Sequence, residues 1–355
     1  MNRVAAAGAH DTRPQHLHRS LIALLGMPPG APPFSWFAVP TAAGEISHPF
    51  LLPHDWLRSL YHHRPRMWET SIRGPVGAAA SFWRSMASTP IVRHHPSLSP
   101  EDRHRTLPLG LHGDGGSFSK QDSLFAPTFN SLSGEGATVA KRFVMTIIKK
   151  SDMVPGTLDK MMAILSWSFN VALTGLSPQV SFDGEAIEDP TYLAGRWRGS
   201  LIQVRGGWEF YKTIFQLPAW NAATQMCWLC RASGRGELRF SACGADAAWR
   251  RTRQTHEMYV ADIAAAGQEL PILLDRVHGL RLEPVMIDVL HTVDLGIAAH
   301  IVGNIFWLCV QKDVWPGGTQ DERVAGLEEE LNQHYKDTKE KSRLMGAPDD
   351  CSLAH

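Results

Sequence analysis

The sequence predicts an α/β fold of the α+β kind, with a mixed sheet at its centre, an irregular region before it and a mainly helical region after it. Three observations predict this. Apolar runs with strand spacing recur between residues 107 and 149. Apolar residues at helical spacing follow at 158–173, with Met161, Met162, Leu165, Phe169 and Val171 on the repeating positions. A strand, a glycine break and an amphipathic stretch then succeed one another between 200 and 215. Period-two and period-3.6 patterns separate strands from helices because they place apolar side chains on one face of each.

The expected boundaries are 1–105 for an irregular, partly helical region rich in Arg and His, 106–217 for the α/β core, and 218–355 for a Cys-x-x-Cys loop and helical insertion. In the first region only 55–62 and 78–86 carry helical patterns, and the run Pro28-Pro29-Gly30-Ala31-Pro32-Pro33 opposes regular structure because proline removes donors and fixes φ. In the core, 107–112 reads as a strand ending near Asp114, 123–130 as a weaker strand and 142–149 as a good one. The helix from 157 or 158 to about 173 stops at Gly175. A strand at 200–204, the break Arg205-Gly206-Gly207 and a helix at 208–215 complete the order β-β-β-α-β-α, which is the ribonuclease H-like framework. Beyond 217 the pattern turns mostly helical, at 247–265, 282–310 and 321–335.

Composition bounds the chemistry. The 355 residues are 44% hydrophobic and 20% charged, the profile of a globular chain with a real core. Lys+Arg and Asp+Glu are both 35, so there is no global charge to attract nucleic acid. The charge is uneven, however: before Leu107 stand eleven Arg and no Lys against six acids. That region can face phosphates, or be a solvated leader. Five irregularly spaced Cys do not form a disulfide framework, and a reducing compartment is expected. The apolar stretch 21–27 is too short for a secretory signal, and 295–310 falls short of a membrane span, so neither secretion nor a membrane partner is expected.

Three motifs carry the candidate chemistry. Asp114, after an apolar strand and before Gly115-Gly116, is placed to offer a carboxylate to Mg²⁺ or Mn²⁺, or to cap its own turn. Two-metal phosphodiester chemistry needs further carboxylates converging from neighbouring strands. The next strand ends in Gly207, and the first acid after it, Glu209, would reach in only with the helix start rotated. Cys227 and Cys230 have the spacing of a zinc grip, with Cys243, His256 or His278 available to complete it; two buried apolar thiols are the alternative. Asp288 and His291, three apart on a predicted helix with Asp294 beyond, share a face and suit either a metal or one satisfied core histidine. The glutamates 328, 329 and 330 read as a solvated helix face. No nucleophile elbow, phosphate-binding loop, dinucleotide fingerprint or His-Glu-x-x-His is present.

As an ordered set, Pro108-Leu-Gly-Leu-His-Gly-Asp114-Gly, then Trp220-Asn221 leading into Cys227-Trp-Leu-Cys230, then Asp288-x-x-His291-Thr-Val-Asp294-Leu-Gly296, resemble transposase-derived proteins of eukaryotic cut-and-paste DNA elements. The neighbourhood is that of the CACTA, Plavaka and Kyakuja-Dileera-Zisupton groups, and the resemblance covers about residues 50–340. It implies a ribonuclease H-like catalytic domain with an Asp, Asp, Glu triad and a helical insertion bearing a Cys-or-Asp-x-x-His signature. On that pattern Asp114 matches the first acid, Asp288 with His291 the signature, and Cys227 with Cys230 a pair found upstream of it. Gly207 stands where the second acid is expected, and no third acid is found before His355. The resemblance therefore implies a degenerate or truncated relative, catalytically inactive, binding DNA and acting in the nucleus (otherwise cytoplasmic), with oligomerisation open. A zinc-stabilised nucleic-acid- or protein-binding scaffold without catalysis is the competing reading.

Overall fold

The computed structural model describes residues 32–113, 115–117, 122–187, 191–218, 222, 224, 226–287, 298–312 and 314–338. Asp114, Trp220, Asn221, Asp288, His291 and Asp294 lie outside the described residues. The chain divides into two compact units, up to Asp288 and from Val289.

The first unit opens with a hairpin, β1 (Ser35–Thr41) and β2 (Gly44–Phe50), where an irregular segment is expected. Two prolines, Pro40 and Pro49, sit inside it opposite Glu45 and Trp36. A two-stranded ribbon consists only of edges, where a missing N–H is tolerated. Val39 and Phe50 are fully buried and join the main core, so this hairpin belongs to the domain that follows.

Helix α1 (Pro53–His63) starts with Pro at its first position, the place where the lost N–H has no helical partner anyway. A short π-helical turn, Trp68–Arg73, and helix α2 (Ala78–Ser85) lead to β3 (Thr106–Gly113), every residue of which is buried. The chain then makes short strands β4 (Gly115–Ser117), β5 (Ser123–Phe125), β6 (Thr128–Ser131), β7 (Phe143–Val144) and β8 (Ile148–Lys149). The single strand expected over 142–149 is thus two short pieces in two different sheets. Met145, between them, pairs its backbone with both Pro127 and Leu51.

Helix α3 (Thr157–Thr174) runs between Gly156 and Gly175, both left-handed, and twelve of its eighteen residues are buried. Its apolar positions go nearly all round, as expected for a helix packed on several sides. Strand β9 (Arg198–Gly206) and helix α4 (Trp208–Phe215) lie where the sequence predicts them. The segment 216–284 then contributes α5 (His256–Ala265) and α6 (Ile272–Arg276), and the chain returns to the sheet as β10 (Val285–Ile287). Two corrections follow. The helix expected over 247–265 is a short 3₁₀ turn at Ala248–Arg251 followed by α5. The helix expected over 282–310 begins as a strand instead, so the segment between α4 and the next core strand ends at 284.

The main sheet has the order β10-β9-β3-β6-β7. Strand β3 is parallel to β9 and antiparallel to β6, β9 is parallel to β10, and β6 is antiparallel to β7. A smaller sheet, β4-β5-β8, extends from it. Two cores flank the main sheet. Leu107, Leu109 and Leu111 face α3, α1 and the hairpin, in a cluster that includes Phe129, Ile164 and Phe169. Opposite them, a bulge where Ile202 has no partner on β3 turns Ile202 into a second cluster with Trp83, Ile91, Val92 and Leu98. The Trp83 indole N–H donates to the Thr106 carbonyl at 2.7 Å, so α2 is tied to the first residue of β3.

The second unit holds α7 (Ala299–Gln311) and α8 (Gln320–Thr338). Thr319 and Glu322 form a reciprocal cap at the start of α8, each side chain accepting the other's backbone N–H at 3.2 Å. Glu328, Glu329 and Glu330 are exposed on it, as a solvated face requires, and Glu330 also accepts the Trp315 indole N–H at 2.6 Å.

Candidate functional site at the ends of three parallel strands

Strands β3, β9 and β10 run in one direction and stop at one level. Gly113 pairs with Gly206, and Gly206 with Ile287. The residues next in sequence are Asp114, Gly207 and Asp288, so the expected first acid and the Asp of the expected signature each follow directly on a strand end at one level. The residues just before Asp288 form a core strand, where the sequence predicts helix; Asp288 and His291 themselves lie outside the described residues.

Two glycines make this end close-packed. A Cβ on Gly113 would fall 2.0 Å from the Phe210 ring, and one on Gly206 would fall 2.4 Å from the Gly113 carbonyl oxygen. Phe210, on the first turn of α4, lies across both strand ends and stacks on Phe125 with ring centroids 6.2 Å apart. The next residue fastens the third strand: the Tyr211 hydroxyl accepts from the Gly206 N–H at 2.9 Å and donates to the Met286 carbonyl. Trp228, between Cys227 and Cys230, is 1% exposed and packs on Trp208 and Tyr211 at 5.0 and 5.3 Å. Its indole N–H reaches the Val285 carbonyl at 3.4 Å, so the Cys-x-x-Cys loop is anchored against β10 by the residue between its thiols.

The carboxylate brought to this end from β9 and α4 is Glu209. Its Oε2 lies 3.3 Å from Lys150 Nζ. Lys150 in turn covers Gly115: a Cβ there would meet Lys150 Cε at 2.9 Å. The only acid that follows β9 closely is thus engaged by an ammonium beside the residue after Asp114. Ser151, adjacent to that lysine, donates its hydroxyl to Asp122 at 2.7 Å, and this bond holds the Asp122 carboxyl below the usual range. Gly207 adopts φ −70° and ψ 166°, an extended conformation open to any residue, so its glycine is not demanded by the backbone.

A polar group occupies the other face of the same strands. Arg205 donates to Asn130 Oδ1, and both stand over Gly110 with Gln203, where a Cβ would meet their polar atoms at 3.1–3.3 Å. His112 is buried in register with Arg205. Only the alternation along β3 and β9 hints at this cluster in the sequence.

The thiol pair is half-buried. The Leu229 N–H donates to Cys227 Sγ at 3.3 Å, and the Ala232 N–H donates to Cys230. Burial pushes the Cys230 thiol up, and the neighbouring Cys227 adds to it. Of the other expected ligands, Cys243 is exposed and donates to the Ser241 carbonyl, while His256 Nδ1 accepts from the Leu282 N–H at 3.2 Å. Among the described residues, no three His, Cys, Asp or Glu side chains gather as a metal site. No helix among them is long and apolar enough to cross a membrane. No family model matches this sequence, and no curated protein is significantly similar to it.

Proposed function

We propose that this chain is a transposase-like protein on a ribonuclease H-like framework, related to metal-dependent DNA strand-transfer enzymes and without their catalysis. The observation that carries the reading is the main sheet. Its strands in chain order are β3, β6, β7, β9 and β10, they lie in the spatial order third-second-first-fourth-fifth, and only the second is antiparallel to the first among its direct neighbours. The helix α3 joins the third strand to the fourth, and an insertion of about seventy residues separates α4 from β10. Asp114 follows the first strand, which is where the resemblance expects the first acid.

The same end supports loss of activity. A divalent cation, when bound, would polarise a phosphodiester oxygen, and it needs converging carboxylates. Gly207 has none to give, and Glu209 is paired with Lys150. The described residues do not fit a two-metal site, and no catalytic step is assigned to them. The test is calorimetric titration with Mn²⁺ of the wild type and of Asp114→Ala, beside a DNA nicking assay. Weak binding, indifferent to the substitution, and no nicking are expected. Tight binding lost in Asp114→Ala, together with Mn²⁺-dependent nicking, would overturn the reading.

A second reading, a zinc-stabilised scaffold without catalysis, is favoured by the thiol pair. The two thiols lie three residues apart with one N–H directed at each sulfur, a contact a thiolate would keep when it grips Zn²⁺, although burial and the neighbouring Cys227 hold Cys230 on the thiol side without the metal. Zinc titration of the wild type against Cys227→Ser tests the zinc grip itself: tight binding lost in the variant supports it, and no binding removes the second reading. DNA is the proposed partner and the nucleus the proposed compartment in the first reading, and a nucleic acid or a protein the proposed partner in the second.

A further inference from the structure

The opposite end of the sheet has a different character. Strands β3 and β9 begin in register at Thr106 and Arg198, about 23 Å from the glycine end at ~3.3 Å per residue. Here a cleft of about 490 Å³ opens between the start of β9 and the end of α3. A second depression, of about 270 Å³, lies beside α2. His104 and Arg105 line both, so the two share a wall.

The charge around them is one-sided. Arg105, Arg196 and Arg198 line the larger cleft with a single acid, Asp102, and Arg73 lines the smaller. Asp102 is committed to Arg198 at 2.8 Å and also accepts from the Ser99 hydroxyl. Arg73 has an exposed partner, Glu69, at 3.7 Å. Arg105 and Arg196 make no ion pair among the described residues. An aromatic ring completes the lining: Tyr192 is 51% exposed, and the Arg196 guanidinium lies 5.5 Å from its centroid. Arg196 is presented by a backbone with φ +70°, directly after Gly195 at φ +54°. A bulky residue there is strained, and such strain persists where the surroundings hold it.

We infer that this double cleft binds single-stranded nucleic acid, with Arg105 and Arg196 on successive phosphates and Tyr192 against a base. Two depressions divided by one arginine fit a ligand that repeats its negative charge, which a lone small anion does not. A half-exposed ring beside a guanidinium is the stacking platform that unpaired bases use, and bases inside a duplex cannot reach it. The inference rests on the nucleic-acid reading above only for its choice of ligand, and it is independent of the acids at the other end.

The experiment is fluorescence anisotropy with a labelled twenty-residue oligothymidylate and a labelled duplex of equal length, from 50 to 300 mM salt. The wild type is compared with the double variant Arg105→Ala, Arg196→Gly and with a charge-matched control, Arg235→Ala, Arg239→Ala. Each lost phosphate contact on a single strand removes ~0.7 from the log–log salt slope, so the double variant should lose about 1.4, or about 25-fold in affinity at 0.1 M salt. Its melting temperature should not fall, since glycine relieves the strain at position 196. Tyr192→Ala should weaken the single strand more than the duplex. Single-strand binding with unchanged slope in the double variant overturns the cleft and leaves the DNA reading standing. Preference for the duplex overturns the single-strand assignment. A wild type that binds neither probe at 50 mM salt overturns both the cleft and the DNA partner.

Discussion

The two ends of the β3–β9 pair are built from the same strands and have opposite chemistry. At the glycine end, backbone packs on backbone, Phe210 covers both strands, and the available glutamate is held by a lysine. At the other end, two arginines that make no ion pair among the described residues line a cleft. Parallel strands have polar, loop-bearing ends on both sides, so one end can be closed without changing the other. Among the described residues, the end that the proposed reading marks for catalysis is closely packed, and the opposite end is open and cationic.

Each end is clamped by a buried tryptophan, which gives the largest expected effects. Trp83 and Trp228 are 0% and 1% exposed, with indole N–H groups on the Thr106 and Val285 carbonyls. Replacing either with Ala should cost about 3–5 kcal/mol, read by denaturant unfolding. The comparison sharpens if Trp228→Ala exposes the β10 amides to hydrogen exchange while the β3 amides stay protected, and Trp83→Ala loosens the cleft side. Equal loss of protection throughout would mean that the two ends are one cooperative unit.

The pH dependence of stability tests the core between the ends. Burial, with Arg58 adding, lowers the His54 pKa to about 3, and burial lowers that of His95 to about 4, with His278 adding. Both are neutral in the fold and accept or donate on serine hydroxyls, His54 with Ser168 and His95 with Ser200. The contact of His54 with Asp55 at 3.6 Å is therefore not an ion pair. A depressed pKa contributes stability present above the unfolded value of about 6.5 and lost as pH falls through the folded value. Asp55, raised to about 6 by burial, works the other way between its ordinary range and pH 6, and offsets part of the loss. The net expectation is falling stability from pH 6.5 to 4, on the order of 3 kcal/mol, in urea melts. His54→Gln should flatten that slope, and an unchanged slope would remove His54 from the account.

The glycine end offers two smaller tests. Lys150→Met frees Glu209, and because the pair is largely exposed its loss should cost under about 1 kcal/mol. Its informative readout is Mn²⁺ affinity, which should rise; no change would mean that Glu209 does not face the strand ends when released. Gly207→Asp places a carboxylate where the resemblance expects one, at a helix N-cap with extended dihedrals. Stability should change by only a few tenths of a kcal/mol, upward, since Asp caps slightly better than Gly. A fall of the melting temperature by several degrees would show that this end has no room for an acid.

The elements legible in the sequence are those with local causes. Helix α3 ends at Gly175 because the left-handed φ of +73° suits glycine, and α4 begins after Gly206-Gly207 for a similarly local reason. Strand β9 declares itself through Leu201, Ile202 and Val204. The hairpin β1–β2 carries two prolines, harmless on an edge strand, and its short strands carry no apolar alternation strong enough to set it apart from the irregular region expected there. Strand β10 was hidden at the start of a long mostly apolar stretch, where three strand residues and a helix look alike until a neighbour supplies hydrogen bonds. Among the candidate ligands, the Cys227–Cys230 spacing was readable, but the hydrogen bonds of Cys243 and His256 were not.

The sequence by itself determined the α/β alternation, the glycine punctuation of α3 and α4, and the absence of an acid at position 207, because each is a property of residues within one turn or strand. Tertiary structure alone decided that Asp114, Gly207 and Asp288 follow strand ends at one level, that Lys150 reaches Glu209, and that Arg105 and Arg196 line one cleft. Those are juxtapositions across 59 to 174 positions of chain. Strand pairing and packing of the whole core create them, and no local pattern encodes them.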